Sequence, residues 1–242
     1  MYIKHKIRKT IRKFGYDISR FTPAYHPIAR IKKLFETYKF DVVLDIGANT
    51  GQFAKQIRDI GYSKRILSFE PLSSAFEVLK KNAKGDPGWE VFNYAIGDID
   101  EKRDINIASN SFSSSLLDMS TSFLRLVPAV DYVGKEMTNI KTLDSIFSDL
   151  CETSKNFYMK IDTQGFENKV LKGADKSLKQ IDFVQMEMSF IPLYKDEILF
   201  IDMCNFMAEK GYSLIGIETG ITDQRTGRLL QVDGIFQSAA SI

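Results

Sequence analysis

Apolar residues in this chain fall into short unbroken runs, separated by stretches where they recur every third or fourth position. Unbroken runs predict strands buried on both faces, and the wider spacing predicts amphipathic helices. The run Val42-Val43-Leu44-Asp45-Ile46 ends in a turn with two glycines, Gly47 and Gly51. The amphipathic stretch Phe53-Ala-Lys-Gln-Ile57-Arg-Asp-Ile60 follows, giving a strand, a tight turn and a helix. A second strand, Arg65–Phe69, closes on Glu70-Pro71; then come a helix at about 74–83 and a Gly85-Asp-Pro87-Gly88 turn. A third strand is expected at Trp89–Ile96, closing on Gly97-Asp98, and residues 102–109 alternate like an extra strand.

Residues 116–137 read as irregular, and a short helix follows Thr142-Leu143-Asp144. A central strand is expected over 156–162, a helix over Asn168–Gly173, a strand over Ile181–Met188 and a helix over 196–210 stopped by Gly211. Two last strands, Tyr212–Glu218 and Leu229–Gln237, flank the turn Asp223-Gln-Arg-Thr-Gly227 and imply an antiparallel pair at one end. Strands alternating with helices make this an α/β chain with one parallel-rich sheet and no internal repeat.

Ahead of that pattern, Ile3, Ile7, Ile11, Phe14 and Ile18 recur at helical spacing, with bases largely on the other faces. Thr22-Pro23 and Pro27 break the run, and residues 28–39 resume a helix. The domain organisation expected is a basic, partly helical appendage over 1–39 and a single catalytic-size domain over 40–242. The appendage either packs its apolar stripe on the main domain or docks on an anionic membrane or an acidic partner.

Charge sharpens this division. The whole chain of 242 residues has a net charge of only +2. Residues 1–33 hold ten Lys and Arg against the single acid Asp17, a net +9, which leaves about −7 for the rest. A negative main domain argues against a nucleic-acid channel there. The two cysteines, Cys151 and Cys204, lack metal-ligand spacing and fit a reduced, cytoplasmic protein. Met1-Tyr2-Ile3-Lys4 leads into charge rather than an apolar signal region, and no apolar run of spanning length occurs.

An acid at the tip of the second strand, Glu70, is where a doubly wound sheet holds the two hydroxyls of a ribose. Glycine spacing separates the candidate nucleotides. A dinucleotide fingerprint starting at Gly47 would need glycine at positions 49 and 52, where Asn49 and Gln52 stand. Asp45 would also repel a pyrophosphate. S-adenosylmethionine has no phosphate and carries a sulfonium and an ammonium, so Asp45 and Glu70 suit it better. A structural glycine turn in an unrelated α/β protein is the plainer alternative.

These residues together resemble the FkbM family of S-adenosylmethionine-dependent methyltransferases. The resemblance covers roughly residues 40–237. It runs through Asp45-Ile-Gly-Ala-Asn-Thr-Gly51, Phe69-Glu70-Pro71 and Ala95-Ile-Gly-Asp98, then the serine loop before Leu116 and Thr142-Leu143-Asp144. It continues through Lys160-Ile-Asp162-Thr-Gln-Gly165-Phe-Glu167, Val170-Leu-Lys-Gly173, Gln185-Met-Glu187, Pro192-Leu-Tyr194 and Gly227 to Phe236. Many members carry an acid where Gln164 stands. The resemblance implies a class I methyltransferase fold, a Rossmann-like mixed sheet of seven strands with the last antiparallel and helices on both faces. It implies methyl transfer to oxygen, commonly a sugar hydroxyl in polysaccharide or natural-product assembly. Carried over by position, Asp45, Gly47, Asn49, Gly51, Glu70 and Asp98 would bind S-adenosylmethionine, Asp98 through the adenine amino group.

Both histidines, His5 and His26, lie in the appendage, so a general base must come from elsewhere. Asp162 closes the central strand and Glu187 lies near the end of the strand expected beside it, which brings two carboxylates to one crevice. Such a pair acts as a base or holds a divalent metal that acidifies the acceptor hydroxyl; both readings stay open. Alternation puts Lys160 on the face of Asp162, as an ion partner or a structural pair. Glu167 is explained by the dipole of the helix it opens. Tyr194 covers the core edge or stacks on a sugar, and the loop Asn110–Leu116 is a solvated turn or faces substrate. The function expected is O-methylation of a sugar, glycan or related hydroxyl, in the cytoplasm or at the inner face of its membrane. Its rivals are a nicotinamide-dependent oxidoreductase, a nucleic-acid N-methyltransferase and a cofactor-binding scaffold without turnover.

Overall fold

The computed structural model describes residues 2–109, 114–120, 131–151 and 154–241, with residues 2–5 as backbone alone. The serine-loop residues 110–113, and residues 121–130 of the stretch read as irregular, lie outside the described residues. The chain divides into two compact units, residues 1–39 and 40–242.

In the first unit, α1 (Tyr2–Arg12) stops well short of Ile18. Gly15 turns the chain with φ +81°, and Asp17 folds back to accept hydrogen bonds from Arg8 at 2.7 Å and Arg12 at 2.9 Å. A helix running to Ile18 would carry Asp17 away from both arginines. The second helix, α2 (Pro27–Tyr38), opens on proline, whose missing N–H is one the first turn leaves unpaired anyway.

In the second unit, β1 (Val42–Ile46), β2 (Arg65–Phe69), β3 (Trp89–Phe92), β7 (Phe157–Ile161), β8 (Phe183–Ser189), β9 (Tyr212–Thr219) and β10 (Gln231–Ser238) form one sheet in the order β3-β2-β1-β7-β8-β10-β9. Strands β3 to β8 run parallel, and β10 is antiparallel to both its neighbours, β8 and β9. This is the seven-stranded mixed sheet that the resemblance implies. The expected antiparallel pair is present, with β10 inserted inside β9.

Helices cover both faces because the β7 side chains alternate. Tyr158 stacks on Phe53 of α3 (Gln52–Asp59), with ring centroids 6.2 Å apart. Met159 and Ile161 turn the other way, into the core that holds Val170 and Leu171 of α6 (Glu167–Lys172). The remaining helices of this unit are α4 (Ser73–Ala83), α5 (Leu143–Cys151) and α7 (Phe200–Glu209), the last beginning four residues later than expected. All five β1 residues are buried, as an unbroken apolar run demands, and the acid among them is buried too.

Trp89–Ile96 is not one strand. Asn93 leaves the main sheet, its side-chain amide donating to the carbonyls of Glu70 and Pro71 at 2.9 and 3.1 Å. The next two residues, β4 (Ala95–Ile96), join a second small sheet with β6 (Tyr132–Lys141) and β5 (Glu101–Ala108) in the order β4-β6-β5. β6 starts inside the region read as irregular. Most of its residues up to Glu136 are exposed, so they carry no burial signature for a sequence pattern to show.

Candidate active site

A cavity of about 220 Å³ opens at the carboxyl ends of β1, β2 and β7. Ile46, Gly47 and Asn49 form one wall, Phe69, Glu70, Pro71 and Leu72 another, and Asp162, Gln164 and Glu187 a third. Ala95, Ile96, Ile105 and Leu116 add apolar surface, and Ser114 and Ser115 contribute the described end of the serine loop.

The turn after β1 is shaped by what touches it. Gly47 has φ +78°, and a Cβ there would sit 1.9 Å from the carbonyl oxygen of Asp162, so only glycine fits. The N–H groups of Gly47 and Ala48 both donate to the carbonyl of Phe69 at 3.0 Å. Asn49, at φ 48°, donates its N–H to Glu70 Oε2 at 2.8 Å, and Leu72 donates its N–H to Oε1 at 2.9 Å. These bonds fix the Glu70 carboxyl at the cavity edge. Burial pushes its pKa up to about 7, against the two N–H bonds that favour the charged form.

Of the residues expected to bind a cofactor, Gly47, Asn49 and Glu70 line the cavity; Asp45, Gly51 and Asp98 do not. Asp45 alternates to the face opposite Ile46. There it is fully buried, accepting from Ser68 Oγ at 3.0 Å, while Ser68 accepts from the Trp89 indole at 2.9 Å. Its other oxygen has no partner, and burial raises its pKa despite the nearby Lys160 charge. Gly51 supports the turn from behind: a Cβ there would lie 2.6 Å from the Trp89 ring. Asp98 follows β4, in the small sheet, and pairs with Lys169 at 2.7 Å. Its expected place assumed a strand continuous to Ile96.

The carboxylates expected to do chemistry are brought together. β7 and β8 are parallel neighbours, and Asp162 and Glu187 both line the cavity. One amide joins them. Gln164 Nε2 donates to Asp162 Oδ1 at 2.8 Å and to Glu187 Oε2 at 2.7 Å. Gln164 itself sits at φ 55°, with its Oε1 accepting from the Tyr194 hydroxyl at 2.8 Å and its carbonyl from Ser115 Oγ at 2.7 Å. Tyr194 is 1% exposed, which removes it as a sugar-stacking ring. The clamp at Gln164 was not read from the sequence, nor was Ile221, which also lines the cavity.

The two carboxyls differ in charge. Lys160 donates to Asp162 Oδ2 at 2.8 Å. Burial alone would raise Asp162, but the charge and hydrogen bond of Lys160 outweigh it and hold Asp162 below the usual carboxylate range. Burial and the charges of Asp162, Asp233 and Glu167 push Glu187 well above that range. Lys160 is held charged by Asp162 and Asp45 against its own burial. Glu167 caps the turn, accepting from the Thr163 N–H at 2.9 Å and the Thr163 hydroxyl at 3.1 Å, which gives it a more specific structural role than the helix dipole.

A divalent metal does not suit this donor set. The facing oxygens of Asp162 and Glu187 share one amide nitrogen, and the remaining Asp162 oxygen takes an ammonium. Among the described residues no group of three or more His, Cys, Asp or Glu could hold a metal ion.

The family model described as the methyltransferase FkbM domain matches residues 45–214. The chain belongs to the FkbM methyltransferase family. The FkbM match begins at Asp45 in β1 and takes in the glycine turn, Glu70, Asp162, Gln164 and Glu187. A relative, the 2-O-methyltransferase NoeI of Sinorhizobium fredii (strain NBRC 101917 / NGR234), is 25% identical over 199 residues, which is 79% of this FkbM chain and 81% of NoeI. Among solved structures, an rRNA methylase from Streptococcus thermophilus matches with TM-score 0.48 and 8% identity over 88% of this chain and 96% of its own. TehB from Haemophilus influenzae matches with TM-score 0.48 and 7% identity over 87% of this chain and 62% of its own.

Proposed function

We propose that this FkbM protein transfers a methyl group from S-adenosylmethionine to a hydroxyl oxygen of a sugar, glycan or related polyhydroxyl natural product. The observation that carries the reading is the Asp162 carboxylate, kept ionised by Lys160 and lining the cavity that Glu70 edges. The similarity to NoeI, a 2-O-methyltransferase, supports oxygen as the accepting atom.

The residues present fit the cofactor. Each oxygen of Glu70 accepts one N–H, and a carboxylate oxygen has room for two, so acceptor sites remain for the paired hydroxyls of a ribose. Phe69, Leu72, Ala95 and Ile96 give apolar walls suited to a purine face. Gly47 keeps side-chain bulk out of the turn. The chemistry such a cofactor supplies when bound is an electrophilic methyl carbon with a neutral thioether as leaving group.

The protein then has two tasks, to aim the acceptor hydroxyl and to take its proton. Asp162 is the base. It is ionised, lines the cavity and has its carboxylate fixed by Lys160 and Gln164. Burial and the neighbouring acids push Glu187 upward, towards the neutral form, in which its carboxyl donates a hydrogen bond to the acceptor. Its Oε2 is taken by the amides of Gln164 and Gln231, at 2.7 and 3.0 Å, which leaves Oε1 for the acceptor. The described cysteines, Cys151 and Cys204, are both free, which suits the reducing cytoplasm where such acceptors are assembled.

Replacing Asp162 with Asn keeps the shape and removes the base. Turnover with a competent acceptor should fall by about 100-fold or more, while S-adenosylhomocysteine affinity stays near that of the parent protein. Turnover that survives the substitution would refute the role given to Asp162. Screening nucleotide sugars and oligosaccharides for methyl uptake identifies the acceptor.

A further inference from the structure

The first unit carries a surface that methyl transfer does not explain. Ile7, Phe14, Ile18 and Phe21 are 51%, 76%, 56% and 58% exposed. Tyr16 and Tyr25 lie among them, 73% and 69% exposed. Clustered large apolar side chains in water are unfavourable for a monomeric surface and mark an interaction site. Around them stand Lys6, Arg8, Lys9, Arg12, Lys13 and Arg20.

The folding of this unit concentrates the pattern. Asp17, the only acid among residues 1–33, pairs with Arg8 and Arg12 and draws the segment after Gly15 back along α1. Ile7 and Arg8 of α1 thereby line one hollow with Ile18, Arg20 and Tyr25. One acid ties down the hook and leaves the segment strongly positive.

We propose that residues 6–25 dock this protein on an anionic lipid surface. Aliphatic and phenyl side chains enter the acyl boundary, tyrosines keep their hydroxyls at the headgroups, and the bases meet lipid phosphates. Charge complementarity selects this occupant. A second copy would bring like charges together, and a nucleic acid would neutralise the bases but leave Ile7 and Ile18 in water. The inference is independent of the methyl-transfer reading.

Cosedimentation of the full chain with phosphatidylcholine vesicles, with and without phosphatidylglycerol, tests it. Binding should require phosphatidylglycerol and weaken with added salt. Each basic residue near such a surface strengthens binding about fivefold, so the Lys9→Gln, Lys13→Gln pair should lose roughly 25-fold. The Ile7→Ser, Phe14→Ser pair should also release the protein, with S-adenosylhomocysteine affinity and thermal unfolding unchanged because both positions are exposed. The proposal fails if anionic vesicles leave the chain in the supernatant, or if the serine pair binds like the parent. Tighter binding to single-stranded RNA than to the vesicles, by the same bases, would overturn it in favour of a nucleic acid.

Discussion

Glu70 shows how a single carboxyl can make this site respond to pH. Burial lifts it to about 7, so it is largely neutral at pH 6 and largely charged at pH 8. Ribose hydroxyls donate to the charged form best, so binding favours deprotonation and strengthens as pH rises through that value. We expect S-adenosylhomocysteine to bind up to about tenfold more tightly at pH 8 than at pH 6, and Glu70→Gln to bind weakly with a flat profile; calorimetric titration at both values checks this. Stability runs the other way. The folded state holds the Glu70 proton more tightly than the unfolded chain, so this group's contribution falls between the ordinary glutamate value and about 7. Gln164 offers a second test. Its amide bridges two carboxyls where a cation would otherwise have to sit. EDTA should leave the parent enzyme's turnover unchanged, whereas Gln164→Glu should lower turnover roughly tenfold by gathering three acids and gain thermal stability on addition of Mn²⁺. At this scale Asp162, Glu187 and Lys160 were legible in the sequence, because strand-end position and alternation fix where they go. Asp45 was legible as a motif residue but not in its direction: Ile46, one position on, takes the cavity face.

Among the elements, the turn between β1 and α3 has the least freedom. Gly47 lies against the backbone of Asp162, so the turn that edges the cavity also rests on the residue that follows β7. Gly47→Ala combines a clash with a positive φ and should destabilise the fold by about 3 kcal/mol or more, read as a lowered denaturation midpoint. Leu44→Ala, in the fully buried β1, should cost about 2–5 kcal/mol and spare the site geometry. The sequence predicted β1, β2, β7, β8 and β10 because each has a buried apolar pattern, and β9 from its run of apolar residues although Ile215 and Ile217 are exposed. It ran β3 and β4 together because no glycine or proline marks the bend; the side chain of Asn93 makes it by bonding two carbonyls. It missed β6 because a strand exposed over most of its length is specified by its partner, β5, rather than by its own alternation.

Across the whole molecule, charge is divided unevenly along the chain. Residues 1–33 are strongly basic, and the remainder, about −7, places three of its acids, Glu70, Asp162 and Glu187, around one cavity. The sheet order places β7 beside β1, on the side away from β2, and so gathers the carboxyl ends of β1, β2, β7 and β8 at one rim. The membership in the FkbM family and the cavity at that rim point to one central claim, that the crevice is built for an adenosine donor without phosphates. Calorimetric titration of the full chain with S-adenosylhomocysteine, and separately with NAD, tests it most directly. Saturable one-site binding of S-adenosylhomocysteine, lost in Glu70→Ala, is expected, with no comparable heat from NAD; tighter binding of NAD, or no binding of S-adenosylhomocysteine, would overturn this reading of the crevice.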